Sequence, residues 1–261
     1  MKNVLIYNIV EDKKRYDNEL LFNYFRAQVD NSLRLGWHKE DIIIGTNFDF
    51  EHKDVKNIEL KNVCTTNIFN NKWYGILELM EGGYLEDDFW FHDQDSWQIN
   101  RVNFPEFEGE IGGCTYVFTP EWNTCSMFLK QTSKQVVNYV VDFMELNKES
   151  DFYSDENYIS ILRNNSDITN LLTTLNNKYN VGLTHMEQRY EAADKPVCSL
   201  GFQPHVQNSW DVFVDGKNDL NIKLVDELLL DIFKKYKLTP ENNTGKYIRK
   251  NTVIYEIINE G

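Results

Sequence analysis

Short apolar runs alternate with helix-period segments through the first hundred residues, and nothing else in the chain constrains its fold as tightly. Val4-Leu5-Ile6-Tyr7-Asn8-Ile9 and Asp41-Ile42-Ile43-Ile44-Gly45 read as strands buried on both faces, with Asn57 to Lys61 as a short third. Leu21, Phe25, Gln28/Val29 and Ser32/Leu33 repeat at helical spacing, which predicts a helix over 17–35 stopped by Gly36. Trp73, Leu77 and Met80 mark a second helix over 71–80, ended by Gly82-Gly83, and Phe89-Trp90-Phe91 is the next strand. This β-α-β-β-α-β order predicts an α/β protein: a mostly parallel central sheet flanked by helices. Ligands of such sheets gather at the carboxyl ends of the strands, so the loops after residues 9, 46 and 91 are expected on one edge.

The second half reads less regularly. We expect a strand over 112–118, a turn at Thr119-Pro120-Glu121-Trp122, and a long helix over 126–146 with Lys130 and Lys134 outward. Ser154-Asp155-Glu156-Asn157 has the look of a capped helix start running to about residue 162. A late strand over 197–202 follows. Ile222, Val225, Leu229, Ile232/Phe233 and Tyr236 then form the stripe of an amphipathic helix over 220–236, and a terminal strand is expected over 252–258. Repeats and low-complexity segments are absent.

The chain has 261 residues, enough for a full core in one large domain or one domain with a C-terminal extension. With 41% hydrophobic and 14% aromatic residues it is not a disordered chain. Its net charge of −14 repels polyanions and weighs against a general nucleic-acid binder. One local exception is the basic segment Lys234, Lys235, Lys237, Lys246, Arg249 and Lys250, either a solvated face or a contact for a phosphate-bearing acceptor. The apolar run from Val4 to Val10 is too short for a signal peptide or membrane anchor. Cys64, Cys114, Cys125 and Cys198 are scattered without a CxxC pair, so reduced thiols in a soluble cytoplasmic protein are the expectation.

The chemistry is concentrated at Asp93-Gln94-Asp95, where the aromatic strand leaves the core. Two hard oxygen ligands there suit Mg²⁺ or Mn²⁺ and leave coordination sites for substrate phosphates. An Asp-x-Asp alone is a common accident in an acidic chain; its place after a core strand gives it meaning. Asp155 and Glu156 are a further candidate pair, although paired acids at a helix start are commonly capping residues. Trp90 belongs to the core, while Trp97 and Trp122 follow the motif strands and are expected at the cleft.

The strand followed by Asp93-Gln94-Asp95, after a β-α-β-β-α-β half and before the Gly112-Gly113 strand, resembles the GT-A glycosyltransferases over about residues 3 to 210. The resemblance implies a Rossmann-like nucleotide-sugar-binding half (1–100), an acceptor half (101–210) and a helix-strand extension (211–261). It implies that Asp95 is the more direct ligand of Mn²⁺ or Mg²⁺, with Asp93 facing the ribose, the cation, or both. Tyr7, Asn8 and Ile9 then cradle the nucleotide together with Asn47 or Asp49, and Lys72 reaches the diphosphate. His205, in the position of the family's C-terminal histidine, becomes the third metal ligand, with His185 as its competitor. Asp155 or Glu156 serves as base in an inverting enzyme, or holds acceptor hydroxyls in a retaining one. Gly112 and Gly113 lie on the acceptor side. The activity implied is metal-dependent transfer of a sugar from a nucleotide-diphosphate sugar to a hydroxyl of a glycan, small molecule, protein or modified nucleic acid. A nucleotidyltransferase is the nearest rival, but Val10-Glu11-Asp12-Lys13 lacks the Gly-rich phosphate loop of that class. A non-catalytic nucleotide-sugar-binding protein is the other, and no GxSxG, HExxH or P-loop motif supports a hydrolase.

Overall fold

Val4, Leu5 and Ile6 are buried on both faces because β1 (Lys2–Tyr7) runs through the middle of an eight-stranded sheet. The computed structural model describes residues 1–11, 16–148, 154–164 and 167–243, together with the backbone of 247–249 and 255–257. The other strands of the large sheet are β2 (Ile42–Thr46), β3 (Glu51–His52), β4 (Val55–Glu59), β5 (Phe89–His92), β7 (Ile111–Thr115), β8 (Trp122–Leu129) and β9 (Leu172–Thr174). A small sheet joins β6 (Ser96–Gln98) to β11 (Ser199–Gly201) and β10 (Val181–Gly182), and β12 (Tyr247–Arg249) pairs with β13 (Tyr255–Ile257).

The large sheet is ordered β3-β4-β2-β1-β5-β8-β7-β9. Its strands are parallel except for β3 and β8, which run against their neighbours. Helices cover both faces. On one lie α1 (Asn18–Arg34) and α7 (Glu227–Lys235); on the other lie α2 (Asn71–Glu81), α3 (Lys134–Leu146) and α4 (Asp155–Arg163). Two further helices, α5 (Met186–Ala192) and α6 (Gln207–Phe213), are short. The expected α/β architecture is what the chain forms. No helix among the described residues is long and apolar enough to cross a membrane.

Local chemistry explains the element ends. Asp17 caps α1 by accepting from the Leu20 amide at 2.7 Å, an interaction typically worth about 1 kcal/mol. Gly36, at φ +88°, takes the left-handed turn that stops the helix. Gly75 lets α2 lie directly on β1, since a Cβ there would meet Ile6 Cγ2 at 2.6 Å. The 71–80, 89–91 and 154–162 expectations match α2, β5 and α4 to within a residue or so.

Three expectations are corrected. Residues 126–133 are not the start of a helix: 126–129 finish β8, which is hydrogen-bonded to β5 on one side and β7 on the other, and α3 begins only at Lys134. Thr124 and Ser126 to Leu129 are all buried, so the run has no exposed face to reveal its period. Trp122 opens that strand rather than closing a turn. The amphipathic helix is also shorter than 220–236. Asn218 accepts from the amides of Leu220 and Ile222 and donates to the Ile222 carbonyl, holding 218–222 in a side-chain-braced loop that competes with helix. Asp226 then caps α7 through the Leu229 amide.

The last helix is pinned to the first through a buried carboxylate. Asp30 of α1 accepts from Lys235 at 2.6 Å and Tyr236 at 2.7 Å, and pairs with His52 and Lys53, both at 2.8 Å. Although burial opposes ionisation, these partners hold its carboxyl well below the usual range. Lys235 is thereby a structural contact. The side chains of Lys246, Arg249 and Lys250 lie outside the described residues.

Candidate active site

The Asp93-Gln94-Asp95 turn crosses from β5 of the large sheet to β6 of the small one. The Asp93 amide donates to the Cys125 carbonyl at 2.9 Å, and the Ser96 amide closes the turn on the Asp93 carbonyl at 3.0 Å. From below, the buried Gln28 of α1 donates to the carbonyls of Gln94 (2.7 Å) and Ser96 (2.9 Å). One amide therefore bridges the backbone on both sides of Asp95.

Asp93 and Asp95 line one cavity of about 270 Å³ together with Lys72, Asp155 and Glu156. Lys72 Nζ sits 3.1 Å from Asp93, 3.6 Å from Asp155 and 3.2 Å from Thr124 Oγ1. Burial works against its charge, but Asp155 and Asp93 more than compensate and raise its pKa above the ordinary lysine value. Asp93 is pushed up to about 6 by burial and by the neighbouring carboxylates of Asp95 and Asp155, against the pull of Lys72. Asp95 accepts from Gln203 Nε2 at 3.0 Å and from Tyr16 at 3.4 Å.

Asp155 and Glu156 open α4 behind a capping box made by Ser154 and Asn157. Asp155 is buried and accepts from Trp73 Nε1 at 3.0 Å. Glu156 accepts from Tyr116 and from the Thr124 amide, each at 3.2 Å. Burial, then the charge of Asp155, lift Glu156 to about 7. A carboxylate near neutrality can take a proton at physiological pH, which suits a general base.

A second cavity adjoins the first through Lys72, Asp93 and Phe69, and is lined also by Tyr7 and Asn8. The Asn8 side chain is buried, and neither its Oδ1 nor its Nδ2 has a hydrogen-bond partner among the described residues. A buried amide left unsatisfied costs roughly 1–3 kcal/mol, so a ligand that bonds to it recovers a definite amount. Asn47 instead braces the loop after β1, accepting from the Ile9 amide at 2.8 Å and donating to the Ile9 carbonyl at 2.9 Å. Asp49 is exposed and lines neither cavity.

Other expected residues lie elsewhere. His205 does not line the cavity; it is buried with Nδ1 2.8 Å from the Tyr24 hydroxyl, and burial lowers its pKa to about 4. Gln203, two residues earlier, is the side chain of that segment that reaches Asp95. His185 is exposed on the rim, edge-on to Phe118 at 5.0 Å. Trp97 and Trp122 are fully buried, because β6 and β8 turn them into the core. Gly112 and Gly113 are needed for packing: a Cβ on them would meet Leu175 at 2.6 Å and Trp122 at 2.7 Å. Tyr16, Tyr116, Thr124, Cys125, Arg189 and Gln203 contribute to the site without any spacing signature in the chain.

The donor set fits a hard divalent cation in part. Asp93 and Asp95 supply carboxylate oxygens at a cavity edge, the pattern that suits Mg²⁺ or Mn²⁺ with phosphates and water filling the shell. Among the described residues, no group of three His, Cys, Asp or Glu side chains is placed to hold a metal.

No protein-family profile and no curated protein sequence matches the chain. Solved structures do. The chain is similar to the glycosyltransferase GlyE of Streptococcus pneumoniae TIGR4, with a TM-score of 0.55, 12% identity, and 88% of this chain covered against 60% of that one. An active-site mutant of LgtC matches with a TM-score of 0.55 and 11% identity over 90% of this chain and 96% of that one. A glycosyltransferase involved in glycosylation of the major capsid of PBCV-1 matches with a TM-score of 0.52 and 9% identity over 77% and 93%. The chain thus spans 60% of the length of GlyE. At these identities the likeness establishes the fold, and the fold is of the GT-A glycosyltransferase type.

Proposed function

We propose that the protein transfers a sugar from a nucleotide-diphosphate sugar to an acceptor hydroxyl, with Mn²⁺ or Mg²⁺ held by Asp93 and Asp95. The observation that carries this reading is the junction of two cavities at Lys72 and Asp93. One is lined by the unsatisfied amide of Asn8, the other by Asp95, Asp155 and Glu156. The donor nucleotide occupies the first, with Tyr7 and Asn8 meeting base or ribose, and the sugar being transferred faces the second. A bound cation would supply charge neutralisation for the leaving diphosphate.

The protein's own groups do the rest. Gln28 holds the Asp93–Asp95 backbone rigid, and Gln203 and Tyr16 orient the Asp95 carboxylate. Lys72 bridges the carboxylates of Asp93 and Asp155. Glu156 takes the proton of the acceptor hydroxyl in an inverting reaction; in a retaining one Asp155 and Glu156 position that hydroxyl. The four cysteines form no disulfides, which fits a reducing compartment such as the cytoplasm.

The test is a thermal-shift panel of nucleotide-diphosphate sugars with Mn²⁺, followed by mass detection of the transferred sugar on an acceptor panel. Stabilisation by one donor and sugar release from it support the reading. Stabilisation without release indicates a binding protein of the same fold, and no response to any nucleotide diphosphate rejects the proposal.

A further inference from the structure

The acceptor side of the cavity contains a buried cation that none of the described carboxylates satisfies. Arg189 points inward from α5 and is 0% exposed. Its Nη2 donates to the Asn180 carbonyl, and the Tyr116 ring lies against the guanidinium at 5.2 Å. Nε and Nη1 have no hydrogen-bond partner, and no ion pair reaches this arginine, among the described residues. A guanidinium stays charged at any ordinary pH. Burying one without a counter-charge is among the most costly arrangements a fold can contain.

Its position supplies the reason. Arg189 lines the same cavity as Asp95 and Glu156, directly beneath the wall formed by Gly182 and Tyr116. A Cβ on Gly182 would stand 2.8 Å from Nη1, so any larger residue at this wall would crowd that edge of the guanidinium. The carboxylates of Asp93, Asp95, Asp155 and Glu156 make the rest of the cavity repel anions, and Lys72 is already engaged by two of them. The Arg189 end is where the protein favours negative charge.

We propose that Arg189 recognises a carboxylate or phosphate substituent of the sugar bound in this cavity, so that the natural substrate is an acidic saccharide. The inference rests on reading the cavity as a sugar-transfer site. The anion docks over Gly182 against Nη1, and repulsion by Asp93, Asp95 and Asp155 elsewhere in the cavity orients the sugar. The anionic group belongs either to the acceptor or to the transferred sugar of the donor; the chemistry recognised is the same.

Binding of methyl glucoside, methyl glucuronide and methyl glucoside 6-phosphate to the full chain, measured by ligand-observed NMR, tests this. The wild type should bind an acidic sugar at least tenfold more tightly than the neutral one. The preference should fall below twofold in Arg189→Met and in Gly182→Ala, with circular dichroism checking the fold. If Arg189→Met does not fold, Gly182→Ala decides. Equal binding of all three glycosides together with equal binding of UDP-glucose and UDP-glucuronate by the wild type, or an acid preference that survives in the folded variants, overturns the proposal. Titration with UDP-glucose and UDP-glucuronate in Mn²⁺ locates the anion: discrimination between these donors and not between the glycosides assigns it to the transferred sugar. Acid-sugar preference without binding of any nucleotide sugar rejects the transfer reading and keeps the Arg189 site. Nucleotide-sugar binding without acid preference in either series does the reverse.

Discussion

Gln28 and Gln94 are 66 residues apart in sequence and joined by a 2.7 Å hydrogen bond from the side-chain amide of one to the carbonyl of the other. Through this bond, and its companion to Ser96, α1 dictates where Asp95 stands. Gln28→Leu keeps the volume but takes this donor away from both carbonyls. We expect a loss of about 1–3 kcal/mol in urea unfolding. Mn²⁺-dependent stabilisation by the donor nucleotide should weaken as well; unchanged stability and unchanged donor binding would contradict this role.

Asp95→Asn keeps the size of the side chain and removes its charge. Transfer should drop by roughly 100-fold or more, as expected when a cation loses a ligand that positions phosphate charge, while the circular dichroism spectrum stays that of the wild type. A variant with normal transfer and normal Mn²⁺ dependence would refute the metal assignment.

Lys72→Met removes the cation between Asp93 and Asp155. Breaking a buried ion pair from one side is typically worth about 3–5 kcal/mol, so this variant should be much less stable than the wild type at pH 8. Asp93, already raised to about 6, takes up a proton more readily once its partner is gone, so the deficit should shrink at pH 5. Denaturant midpoints of both proteins at the two pH values measure this. A deficit independent of pH would point to lost packing instead.

Glu156 gives a pH dependence of defined sign. Its pKa rises from 4.5 in the unfolded chain to about 7 in the fold, so between these values the native state holds a proton that the unfolded state has released. Its contribution to stability is present at low pH and is lost as pH rises through about 7. Glu156→Gln should therefore flatten the fall in melting temperature between pH 5 and pH 8, by an amount corresponding to about 1–3 kcal/mol. If Glu156 is the base, the transfer rate of the wild type rises with pH through about 7, and the glutamine variant loses that rise.

Several elements were legible in the chain because they are periodic or carry a clear cap. Leu21, Phe25 and Val29 announce α1, and Ser154 with Asn157 announces α4, which is why Asp155 and Glu156 were identifiable as a helix start. β8 was not legible. Met127, Phe128 and Leu129 are buried on both faces and abut a helical stretch, so neither period nor composition separates them from α3. Trp97 and Trp122 follow the motif strands in sequence, but side-chain direction puts both in the core. Arg189 and Gln203 reach the site only through the small sheet, whose strands of two or three residues are too brief to read. For the same reason His205, which resembled a ligand by position, turned out to bond Tyr24.

Lys72 stands between Asp93, which lines both cavities, and Asp155, which opens α4. A single ammonium shared by two acids makes the occupancy of one side a term in the affinity of the other. Under the proposed transfer reaction, a donor that engages Asp93 would loosen its hold on Lys72 and strengthen the grip of Lys72 on Asp155, and by thermodynamic reciprocity an acceptor that acts on this pair would change donor affinity by the same factor. Coupling between the two cavities, usually assigned to moving loops, would then need only one side chain with two partners.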